Sequence, residues 1–159
     1  MDQAAKKTLL RMFNYTLFAV TSAHDAEVSG MTANWVAQAS FEPPMIMLAV
    51  EADSHSLKVI QASGAFALNV LERGQRELAG QLGRATAKKP DKLVGLATHP
   101  GPATGAPILD AALGWLECRV TGSLPAGDHI VVVAEVVEAG VQTEGQPLTM
   151  ADAGFRYFG

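Results

Sequence analysis

The sequence predicts a mainly β or α+β fold that contains a barrel and carries a few flanking helices. Three observations predict it. Fifteen glycines and eight prolines, set against few aromatic residues, punctuate a chain of 159 residues into short segments separated by turns. The apolar runs, such as Met45-Ile46-Met47-Leu48-Ala49-Val50, are too short for typical helices and suit strands. Only three stretches combine helical spacing with capping residues. No repeat, low-complexity tract or linker interrupts residues 1–159, so the chain is expected to form a single domain.

Residues 2–13 are expected to form a helix, with Leu9, Leu10 and Phe13 on one stripe and Asp2 serving the first turn. A strand at 17–21, a turn at 22–26 and a return strand at 27–33 make a hairpin. Strand character continues through 36–40 and stops at Glu42-Pro43-Pro44, because proline has no amide hydrogen for a ladder. The run 45–50 follows as a strand covered on both faces. Asp53 or Ser54 caps a short helix that Gly64 ends. Residues 65–71 return to strand, and 75–82 form another helix. From 83 to 108 patterning fades apart from Leu93-Val94-Gly95-Leu96, and 99–107, rich in proline and glycine, is expected to be loop. Strands at 114–123 and 130–141, separated by the turn Pro125-Ala126-Gly127-Asp128, and short strand segments near Leu148 and at 155–158 complete the chain.

Composition excludes several classes. With 48% hydrophobic and 18% charged residues, the chain is compact rather than disordered. A net charge of −4 argues against nucleic acid and against a polybasic membrane surface. The polar start Met1-Asp2-Gln3-Ala4-Ala5-Lys6-Lys7 does not resemble a signal peptide, so a cytoplasmic location is expected. The lone cysteine, Cys118, sits in an apolar run and is expected to be a buried structural thiol. His24, His55, His99 and His129 lie far apart, and no metal site is expected. Neither a Gly-x-Gly-x-x-Gly run nor a P-loop nor a Gly-x-Ser-x-Gly elbow is present.

Three segments point to a phosphorylated planar ligand. In Ser29-Gly30-Met31-Thr32-Ala33-Asn34-Trp35, small side chains let backbone approach a ligand, while Thr32 and Asn34 carry donors and acceptors. A glycine-relieved strand with a surface asparagine explains the same residues equally well. Ser54-His55-Ser56 stands at a helix start, where free amides and the helix dipole favour an anion; simple N-capping is the alternative. Arg73, Arg76, Arg84, Lys88, Lys89 and Lys92 place half of the 12 basic residues within twenty positions, a local positive field or a solvated face. His129, in Gly127-Asp128-His129, opens the most apolar strand and either contacts substrate or bonds to its turn.

These segments together resemble a known family. Gly30-Met31-Thr32-Ala33-Asn34-Trp35, Ser40-Phe41-Glu42-Pro43-Pro44, Ser63-Gly64-Ala65-Phe66-Ala67-Leu68-Asn69-Val70-Leu71 and Gly127-Asp128-His129 are similar, in order and spacing, to the flavin reductase-like FMN-binding split barrels. The likeness is greatest to flavoredoxins and to the reductase modules of flavodiiron proteins. Trp35 stands where reductases that feed monooxygenases often carry serine. The resemblance implies a six-stranded antiparallel, Greek-key split barrel, a homodimer and one flavin per subunit. It implies FMN, or FAD, as cofactor and NADH or NADPH as reductant, with a protein as a further electron acceptor. By the same resemblance Met31, Thr32, Ala33, Asn34 and Trp35 lie along the isoalloxazine and Ser40 near its polar edge. Ser54, His55 and Ser56 hold the phosphate, with Lys88, Lys89 or Lys92 closing over it. His129 is the catalytic candidate near the nicotinamide, and Phe155 or Tyr157 reaches the site, with the partner chain as one possible source.

The expected activity is therefore transfer of hydride from NAD(P)H to a flavin. A bound-FMN electron carrier reduced by a protein partner and a non-catalytic flavin-binding dimer are the alternatives. The homodimer has independent support from the residues, because the runs 45–50 and 130–134 do not alternate and need cover on both faces.

Overall fold

The computed structural model describes residues 1–157. In chain order the elements are α1 (Gln3–Leu10), β1 (Phe18–His24), β2 (Glu27–Ala33), β3 (Val36–Ser40), β4 (Met45–Glu51), α2 (His55–Ser63), β5 (Ala65–Val70), α3 (Arg76–Leu82), β6 (Thr98–Pro100), β7 (Pro107–Leu109), β8 (Gly114–Ala126), β9 (His129–Val141) and α4 (Met150–Ala153). Seven strands form one sheet in the order β2-β1-β5-β8-β9-β4-β3, every pair antiparallel, and β6 with β7 makes a separate two-stranded ribbon.

The expected six-stranded antiparallel Greek-key split barrel is corrected to a seven-stranded antiparallel sheet, with no closed barrel among the described residues. The extended run 27–40 breaks at Asn34-Trp35 into two strands with different partners, β2 on β1 and β3 on β4. β2 and β3 are the two edges of the sheet, yet only two residues connect them. Three residue steps span at most about 11 Å. Six strand spacings in a flat sheet would separate the edges by about 29 Å. The sheet is therefore rolled until its edges nearly meet, and Asn34-Trp35 bridges the gap.

Inside the roll Val20, Leu48, Phe66 and Val132 pack with Leu57 and Ile60 of α2. Ser54 caps α2, its hydroxyl accepting from the Leu57 amide at 3.2 Å, and Gly64 ends it at φ 66°. A second core, with Leu17, Leu71, Leu82, Leu148 and Met150, lies under α3 and α4.

Other departures have local causes. α1 ends at Leu10, three residues short of the expected helix, and buries nothing, leaving Leu9 and Phe13 exposed. The expected loop 99–107 is framed by the β6–β7 ribbon, in which Pro100 pairs with Pro107 at the hairpin end. Near Leu148 only isolated bridges form, Thr16 to Thr149 and Glu72 to Pro147, because Thr149 turns to cap α4. Residues 155–157 are not strand, and Phe158 lies outside the described residues. Of the runs expected to be covered twice, Ile46, Leu48, Val50, Val132 and Ala134 are buried; Met45, Ala49, Val131 and Val133 are only half-buried, and Met47 is exposed. Among the described residues no helix is long and apolar enough to cross a membrane.

Cys118 is fully buried on β8. Burial, and secondarily the neighbouring Glu117 charge, push its thiol from 9.0 up to about 12. The folded chain thus keeps a proton that the unfolded chain releases, so this group's contribution to stability falls as pH rises from about 9 toward about 12. Ellman's reagent at pH ~8 is expected to find no reactive thiol until denaturant is added. Rapid reaction of the native protein contradicts this placement.

Candidate functional site

Four chain segments converge at one end of the rolled sheet. β4 and β9 pair with Glu51 opposite His129, so the end of one strand and the start of the other lie side by side. The turn before His129 has two residues, with Gly127 at φ 71° as hairpins of this length require, and the Ala52 amide bonds to the Asp128 carbonyl at 3.0 Å. The Trp35 carbonyl accepts from the Ala49 amide at 3.0 Å, which brings the β2–β3 link onto β4. Ser54 opens α2 only three residues after Glu51.

A cavity of about 1000 Å³ lies there. Its wall includes Met31, Thr32, Ala33, Asn34 and Trp35 from the link, Ser54, His55 and Ser56 from the helix tip, His129, Lys92 and Phe155. These eleven sequence-predicted residues are brought together. Ser40, Lys88 and Lys89 do not line the cavity in this single chain. Ser40 is five residues along β3 from Trp35, about 16 Å of extended chain. Lys88 points to solvent, and Lys89 lies 3.9 Å from Asp91. Lys58, Arg84, Glu51, Asp53 and residues 85–87 also line the wall. Lys58 was legible in principle, standing one helical turn beyond the α2 tip.

The polar groups differ in whether they are free. Thr32 donates its hydroxyl to the Ala79 carbonyl at 2.6 Å, tying β2 to α3. The Ser56 hydroxyl accepts from Ser29 at 2.7 Å. The amides of His55 and Ser56, first in α2, have no acceptor within the helix. Lys92 is buried, and its ammonium donates to the carbonyls of Leu82 and Arg84 at 3.1 and 3.0 Å. That burial pulls its pKa below the ordinary lysine value. Asn34 is different: the residue lines the cavity, and its Nδ2 is buried and is, among the described residues, the one buried side-chain polar atom without a partner. Leaving such a group unpaired costs about 1–3 kcal/mol, so it marks the place where an acceptor from outside the chain belongs.

At the other end Trp35, His129 and Tyr157 form an aromatic cluster, with centroids 4.7 Å apart for Trp35–His129 and 5.4 Å for Trp35–Tyr157. His129 Nδ1 lies 2.6 Å from Asp128 Oδ1, and its Nε2 lies 3.1 Å from the Tyr157 hydroxyl. Tyr157 donates to Glu51 at 2.7 Å. Burial and the Glu51 carboxylate raise the Tyr157 pKa, while the His129 hydrogen bond lowers that of Asp128. Phe155 and Tyr157 reach the cavity from this same chain.

The model of the flavin reductase like domain family matches residues 10–159. The reductase subunit HsaB of a flavin-dependent monooxygenase from Mycobacterium tuberculosis is 31% identical over 136 residues, covering 86% of this chain and 71% of that protein. The reductase component of 4-hydroxyphenylacetate 3-monooxygenase from Thermus thermophilus is 33% identical, covering 98% of this chain and 96% of that one. Among solved structures, the NADH:FAD oxidoreductase SgcE6 of Streptomyces globisporus superposes with a TM-score of 0.85 at 25% identity, covering 100% of this chain and 96% of the other. The chain belongs to the flavin reductase like domain family, and that membership makes it a flavin oxidoreductase.

Because the Asn34 amide is unpaired, Asn34→Ala is expected to leave the ligand-free protein as stable as the parent or raise its melting temperature. A clear loss of thermal stability would show that the amide has a partner within the chain.

Proposed function

We propose that this chain reduces flavin with NAD(P)H, working as a homodimer and passing reduced flavin to a partner oxygenase. The observation that carries the reading is Asn34, a residue of the cavity wall whose buried side-chain amide has no partner, in a cavity that also takes in the capped tip of α2. A flavin bound there supplies the hydride acceptor; the chemistry belongs to the cofactor, and the protein's part is to hold and orient. Asn34 gives its free donor to a carbonyl of the ring system. Met31, Ala33 and Trp35 supply walls that exclude water. The free amides of His55 and Ser56 receive the phosphate at the positive end of α2, with Arg84 and Lys92 contributing charge nearby. His129, held from one side by Asp128, faces the nicotinamide.

The homodimer is supported by the outer sheet face. Met47 pairs with Val133 and with Ala37, and Ala49 pairs with Val131, which in turn pairs with Leu124. Met47 and Leu124 are 41% and 64% exposed, part of an apolar patch across β4, β9 and β8 that a second copy would cover. The partner oxygenase is supported by the relatives that are reductase components of monooxygenases.

Mixing the protein anaerobically with FMN and excess NADH or NADPH is expected to bleach the visible flavin band with at least one donor; failure with both rejects the reductase reading. Asn34→Ala is expected to weaken flavin binding by about tenfold or more, followed by fluorescence quenching, because one hydrogen bond in a dry site is lost. Val133→Glu is expected to shift the mass in light scattering from two chains to one. A parent protein that is already monomeric contradicts the dimer.

A further inference from the structure

We propose that the segment after α4 is a gate: the Tyr157 ring occupies the place beside Trp35 and His129 that a nicotinamide must take, so the reductant enters only by displacing it. The inference rests on the reductase reading above, in which His129 faces the nicotinamide. In the folded chain that histidine is out of reach. Its Nδ1 lies 2.6 Å from the Asp128 carboxylate and its Nε2 lies 3.1 Å from the Tyr157 hydroxyl, so both ring nitrogens are engaged. His129 is 8% exposed, with the Trp35 and Tyr157 rings against it at centroid distances of 4.7 and 6.4 Å. A reductant cannot reach an imidazole that the chain itself covers. One of the three rings has to move.

Their attachments decide which. The Trp35 carbonyl is bonded to the Ala49 amide, and His129 pairs with Glu51 and Ala126 in the sheet. Tyr157 belongs to neither helix nor strand and is 42% exposed. The root of its segment is firmly held. Arg73 donates to the Asp152 carboxylate at 2.7 and 3.2 Å, and Arg76 Nε donates to the Ala153 carbonyl at 2.6 Å. The Arg76 guanidinium also stands 5.5 Å from the centre of the Phe155 ring. Anchoring thus reaches Phe155, and Tyr157 lies two residues beyond it.

The tip is held through its side chain, whose hydroxyl donates to Glu51 at 2.7 Å and whose ring packs 5.4 Å from that of Trp35. Such contacts are releasable: a turn of the chain at Arg156 clears the ring while α4 stays in place. A site that is closed most of the time binds its ligand more weakly, in proportion to the fraction of molecules that are open. Tyr157 therefore sets the affinity for the reductant without touching the reacting atoms.

The test compares the parent with Tyr157→Ala and Tyr157→Phe. KM for NADH and NADPH is measured at saturating flavin, and amide hydrogen exchange of residues 154–157 is followed by mass spectrometry with and without NAD⁺ or NADP⁺. Tyr157→Ala is expected to lower the KM about fivefold or more, and Tyr157→Phe, which loses only the hydroxyl, to lower it by a smaller factor. In the parent the nicotinamide nucleotide is expected to speed exchange of the segment. Damage to the fold does not tighten substrate binding, so a lowered KM reports displacement. A raised KM with slowed exchange shows that Tyr157 helps to hold the reductant, which overturns the gate. An unchanged KM in both variants overturns it too. In either case flavin is still reduced and the reductase reading stands. Absence of flavin reduction by the parent and both variants overturns the reading and the gate together.

Discussion

The rest of the structure depends on the shortness of one connection. β2 and β3 stand at opposite edges of a seven-stranded sheet, yet Asn34 and Trp35 alone join them. A flat sheet cannot satisfy that link, so the strands roll. The roll brings the ends of β4 and β9, the tip of α2 and the link itself to one rim. The cavity is the space left where the ladder does not close. Its position follows from chain length and strand spacing before any side chain is considered.

Side chains then divide the rim into two chemical ends. Toward α2 there are free amides, a buried lysine and Arg84; toward β9 Trp35 packs against His129 and Tyr157, which are hydrogen-bonded to each other and, through Tyr157, to Glu51. Between them Asn34 carries a donor that the chain itself does not satisfy. Folded proteins rarely leave such a group unpaired in the dry interior. Stability is given up at this residue, and in the proposed function a bound flavin compensates for it. The hydrogen bonds point the same way: the Thr32 and Ser56 hydroxyls are engaged internally and hold the walls in place, whereas the Asn34 Nδ2 is, among the described residues, the one buried side-chain polar atom left unengaged.

Much of this was legible in the residues. Ser54 and Gly64 marked the ends of α2 because capping is a local property, decided within a few residues. The break at Glu42-Pro43-Pro44 and the turn at Gly127-Asp128 were visible for the same reason. Of the fourteen site residues expected from the sequence, eleven line the cavity. Legibility failed where long-range geometry decides. The lysines at 88, 89 and 92 look equivalent in sequence, but only Lys92 turns inward, because the carbonyls at the end of α3 are there to receive its ammonium. Ser40 follows the link closely in sequence, but an extended strand carries it away from the rim. The stripe of α1 suggested burial, yet the single chain offers it no surface. Tyr157 and Glu51 are far apart in sequence, and only the folded tail joins them.

The central claim, that Asn34 waits for an acceptor on a bound flavin, is tested most directly by following its side-chain amide resonances in the NMR spectrum while flavin is added. The account predicts that both hydrogens of Asn34 Nδ2 shift on binding and exchange more slowly with solvent. Saturation with flavin that moves resonances elsewhere and leaves those two unchanged would contradict it.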